Sequence, residues 1–158
     1  MSKLTGKIAV VTGGGSGIGQ AISEVFAQEG AHVHILDLNA EGGEKVVAGI
    51  IAAGGNASLH VCSVTNQAEI KSAIDTIDRV NILVNNAGIA HVGSLENCTE
   101  QDFDRVFQVN VKGAYNALYS VIPKMKAQGG GVILNLASIA ALVGITDRFA
   151  YSMSKGAI

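Results

Sequence analysis

Thr12–Gly19 reads T-G-G-G-S-G-I-G, and this stretch decides the fold. It follows a short apolar run, Ile8–Thr12, and opens a segment whose apolar residues recur at helical spacing. Glycine at 13, 15, 17 and 19 lets main-chain amides approach a pyrophosphate with no Cβ in the way. A helix N-terminus beginning there favours the negative charge. The remaining positions, Ser16 and Ile18, belong to the same candidate cofactor-binding turn. The spacing Gly13-x3-Gly17-x-Gly19 differs from the commoner G-x-G-x-x-G. A glycine-rich turn alone is also a steric device. Its place between a strand and a helix is what points to a dinucleotide.

Working outward, short β-branched runs alternate with longer amphipathic ones. Strands are expected at 7–12, 31–37, 57–61, 81–85 and 131–136, and their nearly continuous apolar character suits strands covered on both faces. Helices are expected at 17–29, 41–53, 67–77 and 99–127. Asn66 is expected to cap the third and Thr99 the fourth, with Pro123 bending or ending the latter. This alternation predicts an α/β fold, a doubly wound, Rossmann-type and mostly parallel sheet, in one dinucleotide-binding domain over residues 1–158.

Asp37 ends the second predicted strand, 18 residues past Gly19. A carboxylate there accepts hydrogen bonds from the adenosine ribose hydroxyls and repels a 2′-phosphate. Its neighbours Ser16 and Leu38 offer no cation for such a phosphate, so NAD is expected over NADP. A strand-end turn residue is the competing reading of Asp37.

Composition removes several function classes. The 158 residues carry a formal net charge of -2, which provides no basic surface for nucleic acid. No stretch approaches the roughly 18 apolar residues of a membrane span. Met1–Lys7 is polar and lacks a secretory pattern. Cys62 and Cys98 stand apart without metal spacing, so they read as reduced cysteines of a cytoplasmic protein.

Near the C-terminal end, Tyr151 and Lys155 stand at i and i+4, on one face of a helix expected to start near Arg148. A tyrosine with an ordinary pKa of about 10 is a poor base at neutral pH. An ammonium within about 4 Å, at an effective dielectric near 20, is worth about 4 kcal/mol, or roughly three pK units. Such a phenol both takes and gives a proton. Ser138, past the fifth strand, is positioned to hold a substrate oxygen. Asn110 falls inside the fourth predicted helix, awkward for a residue that prefers caps, and points to a held water or a backbone distortion. Each of the four also has a bland reading: surface tyrosine, snorkelling lysine, loop serine, helical asparagine.

Together, T-G-G-G-S-G-I-G, N-N-A-G at 85–88, N-V-K-G from Asn110, N-L-A-S-I through Ser138 and Y-S-M-S-K at 151–155 resemble the short-chain dehydrogenase/reductase family. The resemblance runs the length of the chain. It implies a seven-stranded parallel sheet, about five strands of it here, and an NAD-dependent oxidoreductase moving a hydride between cofactor and a secondary alcohol or ketone. It implies a tetrad of Asn110, Ser138, Tyr151 and Lys155. Tyr151 would be the general acid/base and Ser138 would orient the reacting oxygen. Lys155 would bind the nicotinamide ribose and lower the tyrosine pKa, and Asn110 would hold a relay water. Asn86, Ala87 and Gly88 would line the cofactor, as would Tyr151 and Lys155. Ser63 and Val64 would flank the adenine, where the family usually shows an Asp in place of Ser63. A homodimer or homotetramer is implied through the fourth and fifth helices.

Family members usually run about a hundred residues further, so the chain is expected to be C-terminally incomplete. Lys155 would then sit in a fraying last turn, the fifth strand would be an exposed edge, and nicotinamide-side contacts would be poorer than adenosine-side ones. A non-catalytic dinucleotide-binding fragment is the alternative function. His32, His34 and His60 gather on the second and third strands, toward the end far from the cofactor. Three imidazoles could bind zinc, but with no carboxylate or cysteine ligand beside them they read as surface or packing residues, with no metal site expected. His91 reads as a loop histidine near the substrate opening.

Overall fold

The computed structural model describes residues 2–158. Five parallel strands form one sheet: β1 (Ile8–Thr12), β2 (His32–Asp37), β3 (Asn56–Val61), β4 (Ile82–Asn85) and β5 (Val132–Asn135). Their spatial order is β3-β2-β1-β4-β5. Six α-helices accompany them: α1 (Gly17–Gln28), α2 (Ala40–Ala52), α3 (Gln67–Asp75), α4 (Glu100–Phe107), α5 (Gly113–Ala127) and α6 (Phe149–Ala157). The chain reverses direction across the sheet between β1 and β4. A crevice opens at such a switch point, beyond the carboxyl ends of the strands.

The central strands are apolar throughout because helices cover both faces. On one face Val10, Leu36 and Leu83 pack with Ile70 and Ile74 of α3 and with Val121 of α5. On the other, Val11, Val33 and Ile35 pack with Ala27 of α1 and with Val46 and Ile50 of α2. Local signals set the helix starts. Asn39 accepts from Gly42 N, Asn66 from Ala68 N and Glu69 N, and Thr99 from Asp102 N. All five strands lie within one residue of their predicted bounds.

Two expectations need correction. The long helix predicted over 99–127 is interrupted by a π-helical turn, Gln108–Lys112, with Asn110 at its middle. Within this turn the Asn110 carboxamide is committed to the main chain of Ile89. Of the two outcomes expected at Pro123, an end is not seen: the residue lies inside α5, which runs to Ala127 as expected. In addition, β5 is not covered on both faces: Val132 is 63% and Leu134 48% exposed. Among the described residues no helix is long and apolar enough to cross a membrane.

Candidate active site: a cleft at the switch point of the sheet

The glycine turn leaves β1 at Gly13, which has φ +64 and whose N–H donates to Leu36 O at 2.7 Å. A Cβ at Gly13 would meet Ala87 Cα at 3.0 Å, so the turn lies directly against the segment that follows β4. Asn86 welds the two together. Its Nδ2 donates to Thr12 O at 2.9 Å and to Gly13 O at 3.0 Å, and its N–H donates to Thr12 Oγ1. Gly19 is packed so closely that a Cβ would collide with Gly13 O and Asn86 Nδ2. Gly15 N–H donates to Asp37 Oδ2 at 2.8 Å, and Asn39 N–H to Asp37 Oδ1 at 2.9 Å. Asp37 therefore shapes the turn as well as facing the crevice.

From this turn a cavity of about 560 Å³ runs along the carboxyl ends of the strands. At one end it is lined by Gly13, Ser16, Gly17, Ile18, Asp37 and Leu38, then by Cys62, Ser63, Val64 and Thr65. Asn86 through Ala90 form its middle. Leu136, Ala137, Tyr151 and Lys155 close the other end. The long axis, the glycine cradle that a side chain would fill and the strand-end carboxylate suit a dinucleotide. Gly15 and Gly19 stand behind this lining. Ser63 N–H is held by Glu69 Oε2 at 2.8 Å, and its hydroxyl pairs with Thr65 Oγ1 at 2.8 Å. Burial pushes the Cys62 thiol up to about 11, with Glu69 and then Asp37 adding to it, so this wall residue is an inert thiol.

At the far end, Lys155 is buried, 7% exposed, and its Nζ donates to Leu136 O at 2.7 Å. The expected fraying of this turn is thus offset by a bond to the segment leaving β5. Nζ lies 5.8 Å from the Tyr151 ring centroid. Gly88 admits both partners: a Cβ there would meet Asn110 Oδ1 at 3.3 Å and Lys155 Nζ at 3.4 Å. Asn110 lies behind the cavity wall, 3% exposed. Its Oδ1 accepts from Ile89 N at 2.8 Å, while Nδ2 donates to Ile89 O and to Ser154 Oγ, both at 2.9 Å. Ser138 stands just past the lining residue Ala137 and caps a short 3₁₀ turn, accepting from Ala140 N at 3.1 Å. The helix bearing Tyr151 is entered through Asp147, which has φ +54 and whose carbonyl accepts from Gly93 N. Aspartate tolerates that left-handed conformation better than most residues.

Sequence reasoning missed Thr65, Ile89, Ala90, Leu136 and Ser154. The only available signal was adjacency to motif residues, since Ser154 sits inside Y-S-M-S-K. His34 Nδ1 and His60 Nε2 are 2.9 Å apart, and His32 bonds Ser58 Oγ at 3.0 Å. His60 pairs across from Leu36, beside Asp37, so it is not at the end remote from the cleft as expected. Among the described residues no group of three His, Cys, Asp or Glu could hold a metal. His91 lies outside the cavity lining, with Nε2 3.6 Å from Asp102 Oδ2. The Asp102 carboxyl is held low by its Thr99 hydrogen bond first and by His91 and Arg105 after it.

A parallel sheet with this strand order, glycine turn, strand-end carboxylate and switch-point cleft defines a dinucleotide-binding α/β protein. Residues 7–158 match the short chain dehydrogenase family, and the chain belongs to that family. It is 44% identical over 155 residues to an uncharacterized oxidoreductase of Thermotoga maritima, covering 97% of this chain and 62% of that protein. It is 39% identical over 160 residues to D-threitol dehydrogenase of Mycolicibacterium smegmatis, covering 97% and 60%. The NAD+-bound structure of a xylitol dehydrogenase superposes with a TM-score of 0.95 at 36% identity, covering 98% of this chain and 62% of the other. The chain thus spans about three fifths of the length of these relatives.

Proposed function

We propose that this chain carries the cofactor and acid/base residues of an NAD-dependent oxidoreductase acting on a secondary alcohol or its ketone. One observation carries the reading: Tyr151 and Lys155 line the same cleft as the glycine turn and Asp37. The glycine turn would hold the pyrophosphate, Asp37 the adenosine ribose, and Ser63 and Val64 the adenine side. When bound, the nicotinamide supplies the hydride acceptor for alcohol oxidation. Lys155 would hold the ribose next to it and face the tyrosine with its charge. Tyr151 takes the alcohol proton and returns one in the reverse direction. Ser138 orients the substrate oxygen. The Asn110 carboxamide is engaged with Ile89 and Ser154. A relay water there would use its second oxygen lone pair or its own main chain.

The choice of NAD rests on Asp37, whose carboxylate opposes a 2′-phosphate, and on the absence of a cation at Ser16 and Leu38. The names of relatives acting on D-threitol and xylitol support a small hydroxylated substrate. Tyr115 and Tyr119, exposed on α5 within the fourth helix expected from the sequence, support a homodimer or homotetramer.

The test mixes the chain with NAD or NADP and a panel of secondary alcohols and follows NADH or NADPH absorbance. NAD-dependent turnover that disappears in Tyr151→Phe is the expected result. Turnover surviving Tyr151→Phe overturns the acid/base assignment, and equal use of NADP overturns the role given to Asp37. Binding without turnover in the parent chain supports the non-catalytic reading.

A further inference from the structure

Ser154 has no part in the chemistry proposed above, yet it is completely buried, 0% exposed. Its hydroxyl accepts from Asn110 Nδ2 at 2.9 Å and donates to Tyr151 O at 2.7 Å. A serine hydroxyl has one proton to give, and here that proton goes to the main chain of the tyrosine. Asn110 spends its remaining groups on both main-chain atoms of Ile89, which lies in the cleft wall. Three segments distant in sequence therefore meet at one buried hydrogen-bond relay: the wall after β4, the π-helical turn and α6. Gly88 lies between the Asn110 and Lys155 side chains at the same junction.

Burial makes this relay consequential. A polar group excluded from water must find its partner within the protein, so each bond fixes a position as well as contributing energy. The other polar tie of the α6 side chains, Lys155 Nζ to Leu136 O, joins the helix to the segment leaving β5. Ser154 alone bonds the helix to the π-helical turn through a side chain.

We propose that Ser154 is a positioning residue, setting the place of Tyr151 and Lys155 against the Ile89 wall through Asn110 and so shaping the nicotinamide end of the cleft. This rests on the dinucleotide reading above. Among the described residues no hydrogen bond joins the glycine turn or Asp37 to Ile89, Asn110 or Ser154, so the adenosine end should respond less than the nicotinamide end.

The test measures two affinities on the whole chain. NADH, titrated by its fluorescence, spans the cleft. ADP, titrated by calorimetry, reaches only the glycine turn and Asp37. In Ser154→Ala, NADH binding is expected to weaken about fivefold, the effect of one lost hydrogen bond, while ADP binding stays within about twofold. Ser154→Cys retains a weak donor on a slightly larger side chain and is expected to fall between parent and alanine. It supplies the same comparison if the alanine chain does not fold. Equal weakening of both ligands means a merely structural serine and overturns the proposal, as does no change in either. A parent chain that binds neither ligand fails at the dinucleotide reading itself, and the inference falls with it.

Discussion

The two ends of the cleft are held by different physics. Around the glycine turn, Val10, Val11, Val33, Ile35 and Leu36 are wholly buried, and position follows from close packing. Around Tyr151, the neighbouring strand β5 is exposed along its length, and α6 has only nine residues. Position there follows from directional bonds: Asn110 to Ile89 and Ser154, Ser154 to Tyr151 O, and Lys155 to Leu136 O. Packing is spread over many weak contacts and tolerates no added volume. A hydrogen-bond relay behaves in the opposite way, because removing one partner leaves another buried and unsatisfied.

That contrast is broken most directly at Gly19. An added methyl has nowhere to go, since Gly13 O and Asn86 Nδ2 occupy its position and both belong to the turn. Gly19→Ala is expected to cost about 3 kcal/mol, read as a lower urea midpoint, the upper end of overpacking penalties. A cost below about 1 kcal/mol would show that the turn yields, and the packed end would be no stiffer than the bonded one. The matching change at the other end is Asn110→Asp, nearly equal in volume. A carboxylate cannot donate to Ile89 O or Ser154 Oγ, so about 2 kcal/mol should be lost. Amide hydrogen exchange should quicken in α6 and leave β1 and β2 unchanged. Faster exchange spread evenly over both ends would erase the distinction between them.

How much was legible follows the same division. Strands, glycine turn and Asp37 could be placed from residue types because each depends on local chemistry: β-branched runs, absence of a Cβ, a carboxylate at a strand end. The awkwardness of asparagine at position 110 pointed to a backbone distortion, and the π-helical turn is there. What could not be read was what Asn110 holds, since Ile89 is 21 residues away and Ser154 is 44. Hydrogen bonds over such separations leave no periodicity. The burial of Lys155 in a short terminal helix was invisible for the same reason, because its partner Leu136 lies across the cleft end. The exposure of β5 accords with the exposed edge expected for the fifth strand, although its apolar sequence alone suits a covered one.

The smallest expected effect lies on the packed side, where a polar cluster interrupts it. Burial pushes the His34 imidazole down to about 4, with His32 and then His60 adding repulsion, and burial lowers His32 and His60 as well. An unfolded chain takes up these protons near an ordinary pKa of about 6.5, before the folded chain does. Stability is therefore full above about pH 6.5, falls as pH drops toward 4, and levels off below. His34 is only partly buried, so the loss attributable to it at pH 5 is discounted for solvent screening to about 1 kcal/mol. Urea unfolding at pH 7.5 and pH 5 should show this difference in the parent chain and a smaller one in His34→Gln. A parent and a His34→Gln chain that lose stability equally between these pH values would place the acid sensitivity outside the cluster. The packed end would then be as indifferent to pH as its apolar strands suggest.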